Sequence, residues 1–277
     1  MSSSRIEGVP AYDDLDRSGE AQRAAQRMEA RAKESASAAM FDALVKPLLK
    51  PDVARVLELG CGTAALSRRI AQKLPQATIR AVDKSQGMID AATQLARAEG
   101  HANIEFETVD ISAGLPKAAP TDLVISSVVV AYLDDDQTTA LIAAAKDTLA
   151  PGGVLAFLEQ DLQTDALYFP DNDLLKRVFA KDRRQLKKTQ TLGLRPALRE
   201  AGFADICRSS FVWTDEGYGP YLQDLLAHLA ADAEKQGRIT AAERARWQET
   251  LSRVAAKGDF YYGLVYHLLT ARKPNPR

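Results

Sequence analysis

The stretch Val56-Leu-Glu-Leu-Gly-Cys-Gly-Thr63 decides the fold of this chain. Its apolar residues predict a short buried strand that stops at Gly60 and Gly62, and a helical pattern begins near residue 64. Strand, glycine turn and helix in this order are typical of a nucleotide site in an open α/β sheet, because glycine lets the backbone approach a ligand closely. Asp83 ends a second apolar run and is placed to accept the hydroxyls of a ribose.

Glu58 distinguishes this turn from a dinucleotide site. It lies within the strand, two residues before Gly60, where dinucleotide-binding sheets usually have an apolar residue. A carboxylate at the tip of the strand repels a pyrophosphate and favours a ligand that carries positive charge. The turn therefore predicts a nucleoside-containing ligand with a cationic group.

The segment Glu58-Leu-Gly-Cys-Gly-Thr63 resembles motif I of the class I S-adenosylmethionine-dependent methyltransferases. Four later segments resemble the following motifs of that family in the same order, and they lie at 82–89, 106–111, 122–133 and 149–158. The resemblance covers roughly residues 52–160 and is nearest to the small-molecule enzymes of the ubiquinone- and menaquinone-biosynthesis-like group. It implies S-adenosyl-L-methionine as the cofactor and S-adenosyl-L-homocysteine as the product.

The resemblance also implies roles for individual residues. Glu58 and the turn from Gly60 to Gly62 would hold the methionine end of the cofactor. Asp83 would bind the ribose, while Met88 and Asp110 would contact the adenine. The remaining residues assigned to the cofactor site are Cys61, Lys84, Ile111, Ser126 and Ser127.

Alternation of strand and helix patterns predicts an α/β fold with a doubly wound, mostly parallel, seven-stranded Rossmann-like sheet. The predicted strands are 54–59, 77–82, 103–108, 121–127, 153–159, 203–213 and 260–272. Residues 1–51 are expected to form an N-terminal helical lid, and residues 52–214 with 259–277 the cofactor-binding core. Residues 215–258 are expected to form a helical insertion before the last strand that contributes to the acceptor pocket.

Methyl transfer depends mainly on holding the acceptor in line with the methyl group, and a base is needed only for a protonated acceptor. The candidates for catalysis are Glu159, Asp161 and Tyr132. Glu159 and Asp161 share a strand face if the strand continues that far; the alternative is that one of them caps a helix or pairs with an arginine. The candidates for acceptor binding are Tyr12, Tyr132, Tyr168 and His228.

Composition limits the remaining possibilities. A net charge of −1 over 277 residues gives no basis for nucleic-acid binding. The absence of a long apolar run argues against membrane insertion, and a cytoplasmic enzyme is expected. Two cysteines, far apart in sequence, indicate neither a disulfide framework nor a zinc site, and no metal is expected.

Three functions remain open from the sequence. The favoured one is methyl transfer to a small-molecule acceptor, with a secondary metabolite or a quinone-like compound as the expected class. The second is an NAD(P)-dependent oxidoreductase, which shares the glycine turn and the ribose-binding acid but is disfavoured by Glu58. The third is a non-catalytic regulatory protein that binds S-adenosylmethionine.

Overall fold

The computed structural model describes residues 15–115, 119–180 and 191–276, and a seven-stranded sheet forms its centre. The strands are β1 (Arg55–Leu59), β2 (Thr78–Asp83), β3 (Ile104–Thr108), β4 (Thr121–Ser127), β5 (Leu149–Leu167), β6 (Ala204–Asp215) and β7 (Tyr262–Arg272). Their order in the sheet is β3-β2-β1-β4-β5-β7-β6. Neighbours among β1 to β5 run parallel, whereas β7 runs antiparallel to both β5 and β6. The predicted fold class is confirmed.

Helices precede the sheet, connect its strands and fill the segment between β6 and β7. They are α1 (Leu15–Ser18), α2 (Ala21–Lys33), α3 (Ser35–Met40), α4 (Ala65–Lys73), α5 (Gln86–Ala98), α6 (Asp135–Thr148), α7 (Asn172–Val178), α8 (Thr191–Glu200), α9 (Pro220–Lys235) and α10 (Ala241–Ala256). A π-helical turn at Phe41–Val45 and 3-10 turns at Lys46–Leu48 and Val130–Tyr132 complete the helical segments. None of the helices in the described ranges is both long and apolar enough to cross a bilayer.

Strand β1 shows why the sheet is covered on both faces. Val56 belongs to one buried apolar cluster, whereas Leu57 and Leu59 belong to another. Because alternate residues of a strand point to opposite faces, the two clusters lie on opposite sides of the sheet. A parallel strand buried on both faces needs a nearly continuous apolar sequence, and this requirement makes the charged Glu58 within β1 exceptional.

Side-chain caps fix the starts of several helices. Ser85 precedes α5, and its hydroxyl accepts a hydrogen bond from the Met88 N–H at 3.2 Å. Asp134 and Gln137 form a reciprocal capping box at the start of α6. Such caps satisfy backbone N–H groups that have no partner within the helix. Because α5 and α6 follow β2 and β4, these caps fix the ends of the loops that leave the carboxyl ends of the two strands.

The structure changes several predicted boundaries. Strand β5 runs from Leu149 to Leu167, well beyond the predicted 153–159, because it continues to pair with β7 past the end of the parallel sheet. Helices α7 and α8 lie between β5 and β6, while residues 181–190 lie outside the described ranges. Strand β7 begins at Tyr262 rather than at residue 260.

The insertion between β6 and β7 consists of α9 and α10. Trp247 of α10 is fully buried, and its ring centroid lies 4.3 Å from that of Phe169. The indole N–H of Trp247 donates to the Leu226 carbonyl of α9 at 3.1 Å. Leu222 and Leu226 are also fully buried, so α9 is fixed to the apolar cluster that covers one face of the sheet.

Candidate active site

A cavity of about 530 Å³ lies at the carboxyl ends of β1 and β4. The chain passes from β1 to β2 on one side and later returns to β4 on the other, so the strand order reverses at this point. Ligands of open α/β sheets bind where the order reverses. The cavity therefore occupies the place in the fold where the sequence predicted the cofactor.

The glycine turn forms one wall of this cavity. Gly60 and Gly62 have φ angles of +66° and +53°, in the region that favours glycine. A Cβ at Gly60 would lie 2.6 Å from Cγ2 of Val129, in the segment after β4. The N–H of Cys61 donates to the Val82 carbonyl at 2.9 Å. The turn is thus held between β2 and the end of β4, and its backbone is exposed to the cavity.

Asp83 ends β2, lines the cavity and holds the glycine turn in place. One carboxylate oxygen accepts the Gly62 N–H at 2.8 Å, and the other accepts the Ser85 N–H at 3.0 Å. Burial raises the pKa of Asp83 above its usual value, and the two backbone hydrogen bonds oppose that shift. A carboxylate has about four lone-pair positions, so the two hydroxyls of a ribose can still be accepted beside these N–H groups.

Glu58 is buried beneath the turn and also lines the cavity. One of its oxygens accepts hydrogen bonds from the N–H of Ser67, at 3.0 Å, and from the Ser67 hydroxyl. Burial raises the pKa of Glu58 to about 7, and the Ser67 hydrogen bonds limit the rise. A cationic group in the cavity would favour the ionised form of the Glu58 carboxyl. The sequence predicted a ligand with such a group at this position.

The predicted adenine-binding residues line the same cavity. Met88 of α5 is buried, and Ile111, in the loop after β3, lines the cavity as well. An oxygen of Asp110 accepts the N–H of Ser112 at 2.9 Å and its hydroxyl at 2.6 Å. These hydrogen bonds fix the Asp110 carboxylate at the cavity wall and leave its second oxygen available for the amino group of a base.

Helix α1 is tied to the start of α5 by Asp16. Its carboxylate accepts the Ser85 hydroxyl at 2.7 Å, the Gln86 N–H at 2.9 Å and the Gly87 N–H at 3.1 Å. The hydrogen bond from Ser85 is the largest cause of a lowered pKa at Asp16. Leu15, the neighbouring residue, lines the cavity. Helix α1 therefore lies against the start of α5, on the side of the cavity where the ribose and adenine are expected.

The other predicted cofactor residues divide into two groups. Cys61, Lys84 and Ser127 line the cavity. The pKa of the Cys61 thiol is raised well above its usual value, mainly by burial. Cys61 is therefore a small neutral residue in the wall of the cavity. Ser126 does not line the cavity; it is fully buried, and its hydroxyl has no hydrogen-bond partner among the described residues.

Glu159 and Asp161 share a strand face, as predicted, but neither lines the cavity. The Glu159 carboxylate accepts the N–H groups of Val129 and Val130 at 3.1 Å each and so caps the 3-10 turn after β4. Asp161 lies 3.5 Å from Nε2 of His267. Of the two roles considered for Glu159 from the sequence, catalysis and helix capping, these contacts support capping.

The predicted acceptor residues are also separated. Tyr132 lines the cavity. Tyr168 is exposed on the surface, and His228 lies on α9, 3.6 Å from Asp232; neither lines the cavity. Tyr12 lies outside the described residues. None of the described residues of 215–258 lines this cavity, so the insertion does not contribute directly to its wall.

Two cationic residues of the lining were not predicted from the sequence. Arg31 of α2 and Arg69 of α4 both line the cavity. The guanidinium of Arg69 donates to the Ala32 carbonyl at 2.6 Å and lies 5.9 Å from the ring centroid of Phe41. A signal was present in the sequence, because arginines recur every fourth residue in α2, at 23, 27 and 31.

The residues that line the cavity fit S-adenosylmethionine. The cavity wall includes the backbone of the glycine turn, the buried carboxyl of Glu58, the Asp83 carboxylate expected to bind the ribose, and Met88 and Ile111, which are expected beside the adenine. Among the described residues, no group of three or more His, Cys, Asp or Glu side chains is arranged to hold a metal ion.

Comparison with known proteins agrees with this geometry. The sequence profile of a methyltransferase domain matches residues 56–153. The malonyl-[acyl-carrier protein] O-methyltransferase of Halalkalibacterium halodurans is 33% identical over 111 residues, which cover 39% of this chain and 40% of that protein. The trans-aconitate 2-methyltransferase of Streptomyces coelicolor is 30% identical over 186 residues, which cover 67% of this chain and 52% of that protein. The matches thus span about half or less of these relatives.

A solved structure shows the same fold. It is a SAM-dependent methyltransferase from Thiobacillus denitrificans in complex with S-adenosyl-L-homocysteine, with a TM-score of 0.54 and 19% identity over 92% of this chain and 98% of that one. At 19% identity this structure shows the fold alone. The profile match assigns residues 56–153 to a methyltransferase domain, and the glycine turn, the buried Glu58 and the acid that ends β2 are those of the class I S-adenosylmethionine-dependent methyltransferases.

Proposed function

We propose that the protein transfers a methyl group from S-adenosylmethionine to a carboxylate oxygen of a small organic acid. The observation that carries the acceptor class is the pair of arginines, Arg31 and Arg69, that lines the same cavity as the cofactor residues. Guanidinium groups are well suited to carboxylates because their N–H donors match the two oxygens in a planar arrangement. The names of the two curated relatives, which act on malonyl-[acyl-carrier protein] and on trans-aconitate, support an acidic acceptor.

When bound, S-adenosylmethionine would supply an electrophilic methyl carbon: an acceptor oxygen would attack it in line as the carbon–sulfur bond breaks, with S-adenosylhomocysteine as the leaving group. In this proposal the glycine turn and Glu58 orient the methionine end, and Asp83 fixes the ribose. Arg31 and Arg69 bind and orient the acceptor. A carboxylic acid is already ionised near pH 7, so its oxygen attacks without a general base. The placement of Glu159 outside the cavity is consistent with such a mechanism.

A quinone-like compound or another secondary metabolite is the second candidate acceptor. Met40, Phe41 and Val45 also line the cavity, and they provide an apolar surface that a ring system could contact. A hydroxylated ring would be protonated at neutral pH, and its methylation would need a base. Tyr132 is the predicted residue in the cavity that could serve as that base or orient the ring.

The two candidates differ in the chemistry of their products. The purified protein would be incubated with S-adenosylmethionine and either trans-aconitate or a hydroxylated quinone, while formation of S-adenosylhomocysteine is followed. We expect turnover with the acid, and a methylated product that mild alkali hydrolyses, as an ester requires. Turnover only with the quinone, giving an alkali-stable product, would favour the second candidate.

Matched arginine variants locate the acceptor site. Arg31→Gln or Arg69→Gln should raise the KM for the acid by about 10-fold or more, since a hydrogen bond to a charged partner is worth roughly 1.5–3 kcal/mol. Arg246→Gln is the control, because Arg246 pairs with Asp171 and does not line the cavity. An equal response of all three variants would remove the arginines from the acceptor site.

A further inference from the structure

Helix α2 forms part of the roof of the cavity. Met28, Arg31 and Ala32 line it, and a Cβ at Gly62 would lie 2.6 Å from the Met28 sulfur. An α-helix turns by about 100° per residue. Measured around the helix axis from Arg27, Met28 lies at about 100°, Arg31 at about 40° and Ala32 at about 140°. The cavity-facing surface of α2 is therefore a single arc, and rotation of the helix would move all three residues together.

Two ion pairs hold α2 on the flanks of this arc. Glu29, about 200° around the axis from Arg27, lies 2.5 Å from Arg68 of α4. On the other flank, Arg27 donates to the carboxylate of Asp224, and Arg23 lies 3.6 Å from the same carboxylate. The Glu29 pair ties α2 to the core, whereas the Asp224 contacts tie it to the insertion.

Asp224 is well placed to fix the helix because its own position is rigid. It lies in α9 between Leu222 and Leu226, which are both fully buried. The side chain of Arg27 is only 9% exposed, compared with 34% for Asp224. A largely buried guanidinium requires a hydrogen-bonded anion, so loss of the Asp224 carboxylate would leave Arg27 poorly satisfied.

We infer that residues 215–258 act as a brace for helix α2, and that Asp224 is the positioning residue through which the brace works. The insertion then affects the site without lining the cavity: it fixes the rotation of α2 and so places Met28 over the glycine turn and Arg31 in the cavity. Retention of the cofactor depends on this contact. The inference rests on the proposed cofactor site only for its binding readout.

The test compares Asp224→Ala with the wild-type protein in two measurements. One is the dissociation rate of S-adenosylhomocysteine, and the other is hydrogen exchange of the α2 amides. We expect dissociation to accelerate about two- to five-fold, the upper part of the range for a partly exposed ion pair. Exchange in α2 should accelerate while exchange in β1 is unchanged. Asp224→Glu should restore both values toward those of the wild type.

Glu234→Gln is the matched control. Glu234 pairs with Arg244 at 2.5 Å inside the same insertion, so its loss tests the stability of the insertion without releasing α2. The brace is refuted if Asp224→Ala and Glu234→Gln have the same dissociation rate and the same exchange in α2. A purely structural role for Asp224 would change the unfolding temperature and the exchange of α9 without a selective change in α2.

Arg27→Gln tests the contact from the other side. If the brace is correct, the double variant Arg27→Gln/Asp224→Ala releases cofactor no faster than the more affected single variant, because both changes break one interaction. Additive effects would overturn the inference. A wild-type protein that fails to bind S-adenosylhomocysteine would refute the proposed cofactor site instead, and the exchange of α2 would still decide the brace.

Discussion

Replacement of Asp83 by Asn removes the charge of the residue predicted to bind the ribose. The shape of the side chain is retained, and its remaining oxygen can accept one of the two N–H groups, from Gly62 and Ser85, that the carboxylate now accepts at 2.8 and 3.0 Å. The change therefore weakens the hold on the glycine turn and neutralises the acceptor of the ribose hydroxyls.

The magnitude follows from the hydrogen bonds involved. A hydrogen bond to a charged partner contributes about 1.5–3 kcal/mol, compared with about 0.5–1.5 kcal/mol between neutral groups. The hydrogen bond from each of the two ribose hydroxyls would therefore be weaker by about 1–1.5 kcal/mol. The sum of about 2–3 kcal/mol corresponds to a loss of about 25- to 150-fold in affinity for S-adenosylhomocysteine.

Calorimetric titration with S-adenosylhomocysteine measures this loss directly. Asp110→Asn is the comparison, because Asp110 is exposed and the side-chain hydrogen bonds described above join it to Ser112 alone. We expect a smaller loss of affinity for S-adenosylhomocysteine than with Asp83→Asn. Circular dichroism must show that both variants are folded. An affinity of a folded Asp83→Asn variant within about two-fold of the wild type would refute the ribose assignment.

Three further changes test other parts of the structure. Gly60→Ala should destabilise the fold by about 1–3 kcal/mol, because of a φ of +66° and a Cβ only 2.6 Å from Val129; urea denaturation measures this. Burial raises the pKa of Glu159 from 4.5 to about 7, so between pH 4.5 and 7 the folded state binds more protons than the unfolded chain, and the free energy of unfolding falls as pH rises through this range. Glu159→Gln should make that fall smaller. An unchanged dependence of the unfolding free energy on pH would contradict the raised pKa of Glu159. Trp247→Ala should cost about 3–5 kcal/mol, because the ring is buried against Phe169; a change below about 1 kcal/mol in thermal unfolding would contradict its place in the core.

Most of the residues predicted to bind the cofactor line one cavity, because their placement depends on local geometry. Gly60, Gly62 and Asp83 follow directly from strand ends, and parallel strands bring their carboxyl ends to one edge whatever the connecting helices do. The strand periodicity also predicted that Glu159 and Asp161 share a face. It could not predict which face, because that depends on the register of β5 against β7, strands far apart in the chain.

The residues proposed to bind the acceptor depend on tertiary packing and were not predictable by the same means. Arg31 lines the cavity, and the helix that carries it, α2, packs through ion pairs against α4 and α9. His228 carries a chemically suggestive side chain, but α9 places it outside the cavity wall. Periodicity identifies the apolar face of a helix, whereas the position of a single polar residue on its border depends on the angle at which the helix docks.

The place of β7 in the sheet affects the order in which the protein can assemble during synthesis. Strand β6 pairs with β7 and not with β5, although β6 leaves the ribosome first. The five parallel strands and the glycine turn can associate while translation continues. Strand β6 must wait until residues 262–272 emerge and enter between it and β5. During that interval the edges of β5 and β6 that will bind β7 are unpaired, and unpaired strand edges make a nascent chain prone to aggregation.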